Sequence, residues 1–291
     1  MFESIQYILV YGFILGSLYL LISLGFTIVC GVLRVFHMGY GAIFVVAVYA
    51  MWMLIDVFHL GLFAAIAGMF IIQVLFTLFI IYFPVVKRYI EREELLLTSL
   101  ILISLIVEET ANFFYPETAG VSIPTSVFAG SIMIGNSSIP YQMLVASGIA
   151  IITAAVFVLF LLKTREGLVI RAVSQDTESA ELMGANIGRT YALAMVLSII
   201  PPTLCIIVIA PFWAIEPSMG SSLMMTAILV SILGGLGNIK GSIIASYIVG
   251  FLSSSVAFLV NPRMMGLATL IAVFVVLIFK PTGIAKSESI W

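Results

Sequence analysis

The feature that most constrains this chain is the spacing of its charges. Long stretches carry almost none. Each is close to the length that crosses a hydrocarbon core of ~30 Å at ~1.5 Å per helical residue. Nine such runs can be read: residues 5–30, 38–55, 61–83, 95–114, 141–162, 190–212, 220–236, 242–260 and 264–279. Several are only 16–18 residues long. The pattern therefore allows eight to ten transmembrane helices, with some segments re-entrant or broken. The fold class that follows is an all-α polytopic membrane protein, with one transmembrane domain over residues 1–291.

Composition closes the alternatives. Apolar residues make up 63% of the 291, and charged residues 9%, against about 25% in an ordinary soluble domain. The 12 basic and 14 acidic residues cannot coat a soluble globule of this size. A soluble enzyme is excluded. Nucleic-acid binding requires a basic field, and the net charge is -2. Met1-Phe2-Glu3-Ser4 has no basic residue ahead of the first apolar run, so that run is expected to stay as a helix rather than be cleaved. Cys30 and Cys205 lie in or beside apolar runs with no CxxC partner, and read as small hydrophobes. His37 and His59 have no ligand spacing around them. No metal site is expected. No Walker motif occurs, so nucleotide chemistry is not expected in this chain.

Basic residues collect on the cytoplasmic side of bacterial-type membrane proteins. With nine crossings and the N-terminus outside, 11 of the 12 fall on one side: the groups at 87–92 and 163–189, the turns holding Arg34 and Lys240, and Lys280 and Lys286 at the end. Arg263 alone falls outside. The C-terminus is then cytoplasmic.

Two connections are long. The outer loop, 115–140, carries three prolines and a short apolar stretch, Val127 to Ile134, suited to lying on or dipping into the membrane. The cytoplasmic segment, 163–189, holds four basic and four acidic residues. Asp176 can cap a short helix there, and Gly184 can close it in a left-handed position. A membrane-surface helix would show large apolar residues opposite Lys and Arg. This segment shows small residues and acids, which suits docking into a protein groove.

Two glycine-containing turns stand out, Gly31 to Gly41 and Gly234 to Ser242. They lie six spans apart, as in a parallel internal repeat. Interrupted segments of this kind mark a transport path when protein or water covers the free backbone, and the alternative is a pair of ordinary tight turns. Glu108 and Glu109 are the acids well inside an apolar run, about 20 Å along their helix at 1.5 Å per residue. A carboxylate there contacts substrate, binds a proton or caps the outer interface beside Asn112. Gly12 and Gly16 form a small-residue face for helix packing.

The loop running Gly167, Arg171-Ala172, Gln175-Asp176, Ala180, Met183-Gly184-Ala185-Asn186 and Arg189 resembles the cytoplasmic segment of branched-chain amino acid ABC transporter permeases. That segment typically reads Gly, Arg-Ala, Glu-Asp, Ala, then Leu-Gly-Ile-Asn. Leu233-Gly-Gly-Leu-Gly-Asn-Ile-Lys-Gly241, the ending Lys280-Pro-Thr-Gly-Ile284 and the opening Leu15-Gly-Ser-Leu-Tyr19 are similar to the family's segments as well. The resemblance implies a permease subunit of an ABC importer, working with a second permease, homologous or identical. It also implies two cytosolic ATPases that hold ATP and Mg, and an extracytoplasmic solute-binding protein. Gly167, Arg171, Ala172, Gln175, Asp176, Ala180 and Gly184 would then be the ATPase-coupling residues. The translocation path would draw on His37, Gly39, Tyr40, Gly41, Glu108, Glu109, Gly235, Gly237 and Asn238.

One segment departs from the family. Where relatives commonly read Asn-Phe-Ala-His-Gly-Glu, this chain reads His37-Met-Gly-Tyr-Gly-Ala42, keeping only Gly41 of that pattern. Glu108 and Glu109 stand where relatives often carry neutral amides. The expected cargo is a branched-chain or other small amino acid, or a related small polar solute such as urea or a short amide. The rival reading is a proton- or cation-coupled secondary transporter or channel using Glu108 and Glu109.

Overall fold

The computed structural model describes residues 2–115, 130–134, 137–213 and 215–285. Helix α1 (Phe2–Leu33) is followed by α2 (Tyr40–Trp52), which continues as a π-helical turn over Met53–Val57. Helix α3 (Leu62–Phe76) runs through a π-helical stretch (Thr77–Val86) into α4 (Lys87–Tyr89), and α5 is Glu93–Phe114. A small antiparallel hairpin follows, β1 (Ser131–Ile134) with β2 (Ser137–Pro140), in the register Ser131 to Pro140 and Ile134 to Ser137. Then come α6 (Tyr141–Lys163), α7 (Arg165–Gln175), α8 (Thr177–Leu182), α9 (Ile187–Ser198), α10 (Ile200–Ile209), α11 (Met219–Gly234), α12 (Ile239–Leu259) and α13 (Met265–Phe279).

Among the described residues, seven helical spans are long and apolar enough to cross a membrane: 5–33, 40–57, 62–89, 141–163, 187–209, 239–259 and 262–279. Helix α5, with its four acids, and the 16-residue α11 occupy the two remaining apolar runs. An all-α polytopic membrane protein is the result. The third span runs past its expected end at residue 83 to Tyr89. Pro84 reads as a stop in sequence, because its ring would collide with the carbonyl of Ile80 in an α-helix. The wider π winding accommodates it. Lys87 and Arg88 therefore sit on a helix rather than in a loop. Within the outer loop, residues 131–134 of the short apolar stretch form β1, while 116–129 lie outside the described residues.

Helix α1 is the central pillar. Every residue from Leu20 to Cys30 is buried, as expected of a helix that is apolar all round and enclosed by other helices. It packs on α12, α11, α6, α9 and α10. Small residues set the distances. A Cβ placed on Gly250 would meet the backbone of Gly16 and the carbonyl oxygen of Gly12, at 2.7 Å from the latter. Without a hydrophobic drive between helices in lipid, such close backbone approach and hydroxyl bonds hold the bundle. The hydroxyl of Thr27 joins three helices, lying 2.9 Å from Ser231 Oγ and 2.7 Å from Ser242 Oγ. The break between α9 and α10 falls just before Pro201-Pro202, which cannot donate to the preceding turn.

Candidate functional site

Two regions collect the polar and small residues singled out in sequence, and one chain segment joins them. The first region is inside the bundle. After Leu33 the chain does not start α2 at the same end of the bundle. It turns back inward over residues 34–39, and α2 begins at Tyr40 well inside. The Tyr40 hydroxyl donates to the carbonyl of Ile22 at 3.2 Å. Ile22 lies eleven residues before the end of α1, or about 16 Å at 1.5 Å per residue. Gly41 touches Gly220 in the first turn of α11, fourteen residues, or about 21 Å, from Gly234 at the far end of that helix. The first of the two glycine-containing turns is thus a re-entrant segment rather than an ordinary tight turn, and the start of α2 meets the start of α11 about midway through the bundle. Non-helical backbone is tolerated at such depth only where protein or water covers it. The second turn differs: it is short, and α12 starts at once. The two turns do not share a geometry.

Helix α5 supplies the third wall. A Cβ on Gly41 would lie 2.9 Å from Ser104 Oγ and 3.1 Å from the Gly220 carbonyl oxygen. One turn further along, half-buried Glu108 accepts a hydrogen bond from Ser221 Oγ at 3.4 Å. Its carboxylate sits by the first turn of α11, where the helix dipole favours negative charge. Glu109 is exposed, on a face of α5 shared with exposed Leu102, Leu105 and Ile106. His37 and Gly39 are buried beneath α2 against Leu100 of α5. The His37 ring lies edge-on to Tyr40 at 5.9 Å, and neither ring nitrogen has a hydrogen-bond partner among the described residues. A cavity of about 490 Å³ opens between α2 and α5, lined mainly by apolar side chains including Val45, Tyr49, Val107 and Ala111.

The second region lies at the end of the bundle where α1 and α6 stop. Thr164 caps α7 by accepting from the Gly167 amide at 3.0 Å. Gly167 is buried there because a Cβ would meet Leu161 Cα at 2.6 Å. Arg171 and Ala172 are half-buried, and Gln175 and Asp176 are exposed. The cap expected of Asp176 is present. Its carboxylate accepts from the hydroxyl and the amide of Ser179, and these bonds hold its pKa below the ordinary carboxyl value. Gly184 closes α8 with φ 91, in the left-handed position expected. Ala180 faces inward at 2% exposure, while Leu182 and Met183 are 85% and 78% exposed.

Beside this region, Gly237 has φ 78 and lies so close to α1 that a Cβ would be 2.7 Å from Gly31 Cα. Gly235, with φ 102, ends α11, and Asn238 caps α12 by accepting from the Gly241 amide at 2.8 Å. The Lys-Pro-Thr-Gly-Ile ending has a physical role. Ile284 and Ala285 donate to the carbonyls of Leu233 and Gly234 at 2.8 and 3.1 Å, so the tail satisfies the end of α11. These residues brace the turn; they do not reach the mid-bundle region.

Sequence reasoning missed Arg34. It stands between the two regions, with φ 55, and its guanidinium donates to the carbonyls of Ser174 and Gln175 at the end of α7. Its partners are backbone atoms, which leave no trace in sequence.

A bundle of apolar helices with a broken helix at mid-depth and a polar segment at one end is a polytopic membrane protein with an interrupted span, an architecture suited to transport. The chain belongs to the family described as branched-chain amino acid transport system / permease component, whose profile matches residues 8–279. It is 26% identical to the high-affinity branched-chain amino acid transport system permease protein LivH of Escherichia coli K12, over 94% of this chain and 92% of that one. It is 24% identical to BraD of Pseudomonas aeruginosa, a protein of the same description, over 95% and 94%. The solved structure of PsaBC from Streptococcus pneumoniae in complex with Fab is similar with a TM-score of 0.48 and 14% identity, covering 98% and 96%. The chain is a membrane transport component of the ABC importer class, not an enzyme.

Proposed function

We propose that this chain is the membrane subunit that carries branched-chain amino acids inward, driven by ATP hydrolysed in separate subunits. The carrying observation is the pair Leu182 and Met183, large apolar residues exposed on a polar segment at the basic end of the bundle. Exposed apolar side chains at a bundle end, outside the spans, suit a protein groove. The family pattern of the same segment points to a cytosolic ATPase. Two such ATPases would hold ATP and Mg. A second permease and an extracytoplasmic binding protein complete the assembly, in the inner membrane with the N-terminus outside and the C-terminus cytoplasmic.

The path runs along α5. Its exposed Glu109 lies about 24 Å along the helix from Glu93 at 1.5 Å per residue. That places it toward the far end of α5, where a carboxylate facing lipid costs less than the roughly 2.5–3.5 kcal/mol of the helix centre. That face is better covered by water and a second permease than by acyl chains. The apolar cavity between α2 and α5 suits a branched aliphatic side chain, and urea or a short amide would leave it unfilled.

The rival coupling would run through half-buried Glu108, 3.4 Å from Ser221 Oγ, and exposed Glu109. Reconstitution in proteoliposomes with the ATPases and binding protein decides between them. The importer reading expects uptake only with ATP, surviving in the double variant Glu108→Gln, Glu109→Gln with an unchanged pH profile. ATP-independent uptake with a pH dependence lost in that variant would establish the rival.

A further inference from the structure

Arg34 ties the end of α7 directly to the re-entrant segment by side-chain hydrogen bonds. Nε and Nη2 donate to the Ser174 carbonyl at 3.2 and 2.9 Å, and Nη2 donates to the Gln175 carbonyl at 2.7 Å. Those are the last two carbonyls of α7, which have no partner within the helix and carry the negative end of its dipole. A planar guanidinium fork suits them better than a point charge. The grip falls on the corner between α7 and α8, since the next residue, Asp176, caps α8. The backbone of Arg34 is itself in the left-handed region, φ 55, which disfavours a side-chain-bearing residue. The conformation persists because the contacts on either side hold it.

What lies on either side makes this a lever. The start of α7 is fixed: Gly167 packs on the backbone of α6, and Glu166 pairs with Arg189 at 3.3 Å. The far end of α7 is held by Arg34. Directly after Arg34 the chain enters the bundle through buried Val35, His37 and Gly39 and becomes α2 at the mid-bundle meeting with Gly220. A push on the α7–α8 corner therefore reaches the broken helix through a short connection, from exposed Arg34 to buried Gly39.

We propose that Arg34 is the positioning residue that carries displacement of the ATPase-docked α7–α8 corner to the start of α2, opening or closing the path between α2, α5 and α11. The inference rests on the importer reading above. The test uses the complete assembly, this chain with its second permease, ATPases and binding protein, in proteoliposomes. Uptake per ATP hydrolysed is compared for wild type, Arg34→Ala and Arg34→Lys. The expected result is intact assembly and basal ATPase activity, with the ratio falling about tenfold in Arg34→Ala, within the ordinary range of coupling between sites. Arg34→Lys, keeping the charge without the fork, should fall between. A second readout guards against a folding defect: Met38→Cys, introduced into the wild-type and Arg34→Lys backgrounds and labelled by a water-soluble thiol reagent. Its labelling rate should respond to ATP in the wild-type background and respond less with Lys. Wild-type ratios and wild-type ATP response in both variants overturn the role of Arg34 and leave the importer reading standing. Absence of ATP-driven uptake in the wild-type assembly overturns both.

Discussion

The contact between Gly41 and Gly220 gives the sharpest test of the mid-bundle region, through Gly220→Ala. A Cβ at Gly220 would lie 2.5 Å from the Gly41 carbonyl oxygen and 2.5 Å from Val45 Cγ2. Each distance falls about 0.9 Å short of the 3.4 Å at which ordinary contact begins. The Val45 methyl can turn aside; the Gly41 carbonyl is backbone and can move only with α2. One added methyl therefore forces the starts of α2 and α11 apart. Overpacking of this kind costs roughly 1–3 kcal/mol. In a chain of this size that is a loss of a few degrees in unfolding midpoint, at about 2–4 °C per kcal/mol. The separation also stretches the 3.4 Å bond between Ser221 and Glu108. The assay is thermal unfolding of the purified subunit in detergent, beside uptake by the assembly. Gly148→Ala is the control, because a Cβ there meets nothing within 4 Å. Adding Val45→Ala to Gly220→Ala should restore part of the loss and not all of it. If Gly220→Ala unfolds with Gly148→Ala and transports at the wild-type rate, α2 does not start where it is placed here.

Two further outcomes are expected. Leu182→Asp with Met183→Asp should insert normally and fail to copurify with the ATPase. Burying one such side chain is worth roughly 1.5–3 kcal/mol, so each change weakens association by about 10- to 100-fold, read by pull-down or titration of the ATPase. Gly237→Ala should lower the unfolding midpoint and the membrane yield. Its left-handed backbone costs a non-glycine residue roughly 1–2 kcal/mol, and the new Cβ would meet Gly31 Cα at 2.7 Å. The same change at exposed Gly266, with nothing within 4 Å, is the neutral comparison.

Much of this fold was legible because lipid imposes a length rule on apolar runs, and a charge-free run reports its own helix. The polar segment holding α7 and α8 was legible for a different reason. Asp176 and Gly184 mark helix ends by local chemistry, which needs no neighbour. The depth of α2 was not legible. Hydropathy reports that Val35, Phe36 and Met38 are apolar; it does not report whether they climb into the bundle as helix or as re-entrant chain. Contacts across the bundle fix that: Gly41 with Gly220, 179 residues away, and the Tyr40 hydroxyl with the Ile22 carbonyl. The neighbour of Ala180 was not legible either. A small residue permits close approach, but sequence does not say to which neighbour, and here it packs into its own chain.

The departure from the family between residues 37 and 42 reads differently once placed. Tyr40, where relatives commonly have His, is fully buried, with its hydroxyl on the Ile22 carbonyl and its ring edge-on to Phe26 and Phe44 at 5.5 and 5.3 Å. Ala42, where they have Glu, is also fully buried, and His37 is 1% exposed. Residues packed on every side within one chain set the shape of the broken helix. The one residue of the pattern that is kept, Gly41, is the one whose side chain would collide with Gly220. The substitutions therefore weigh little against a branched-chain amino acid as cargo. Among the described residues, the side chains that line open space at this depth are those of α2 and α5 around the apolar cavity, Val45, Tyr49, Val107 and Ala111 among them.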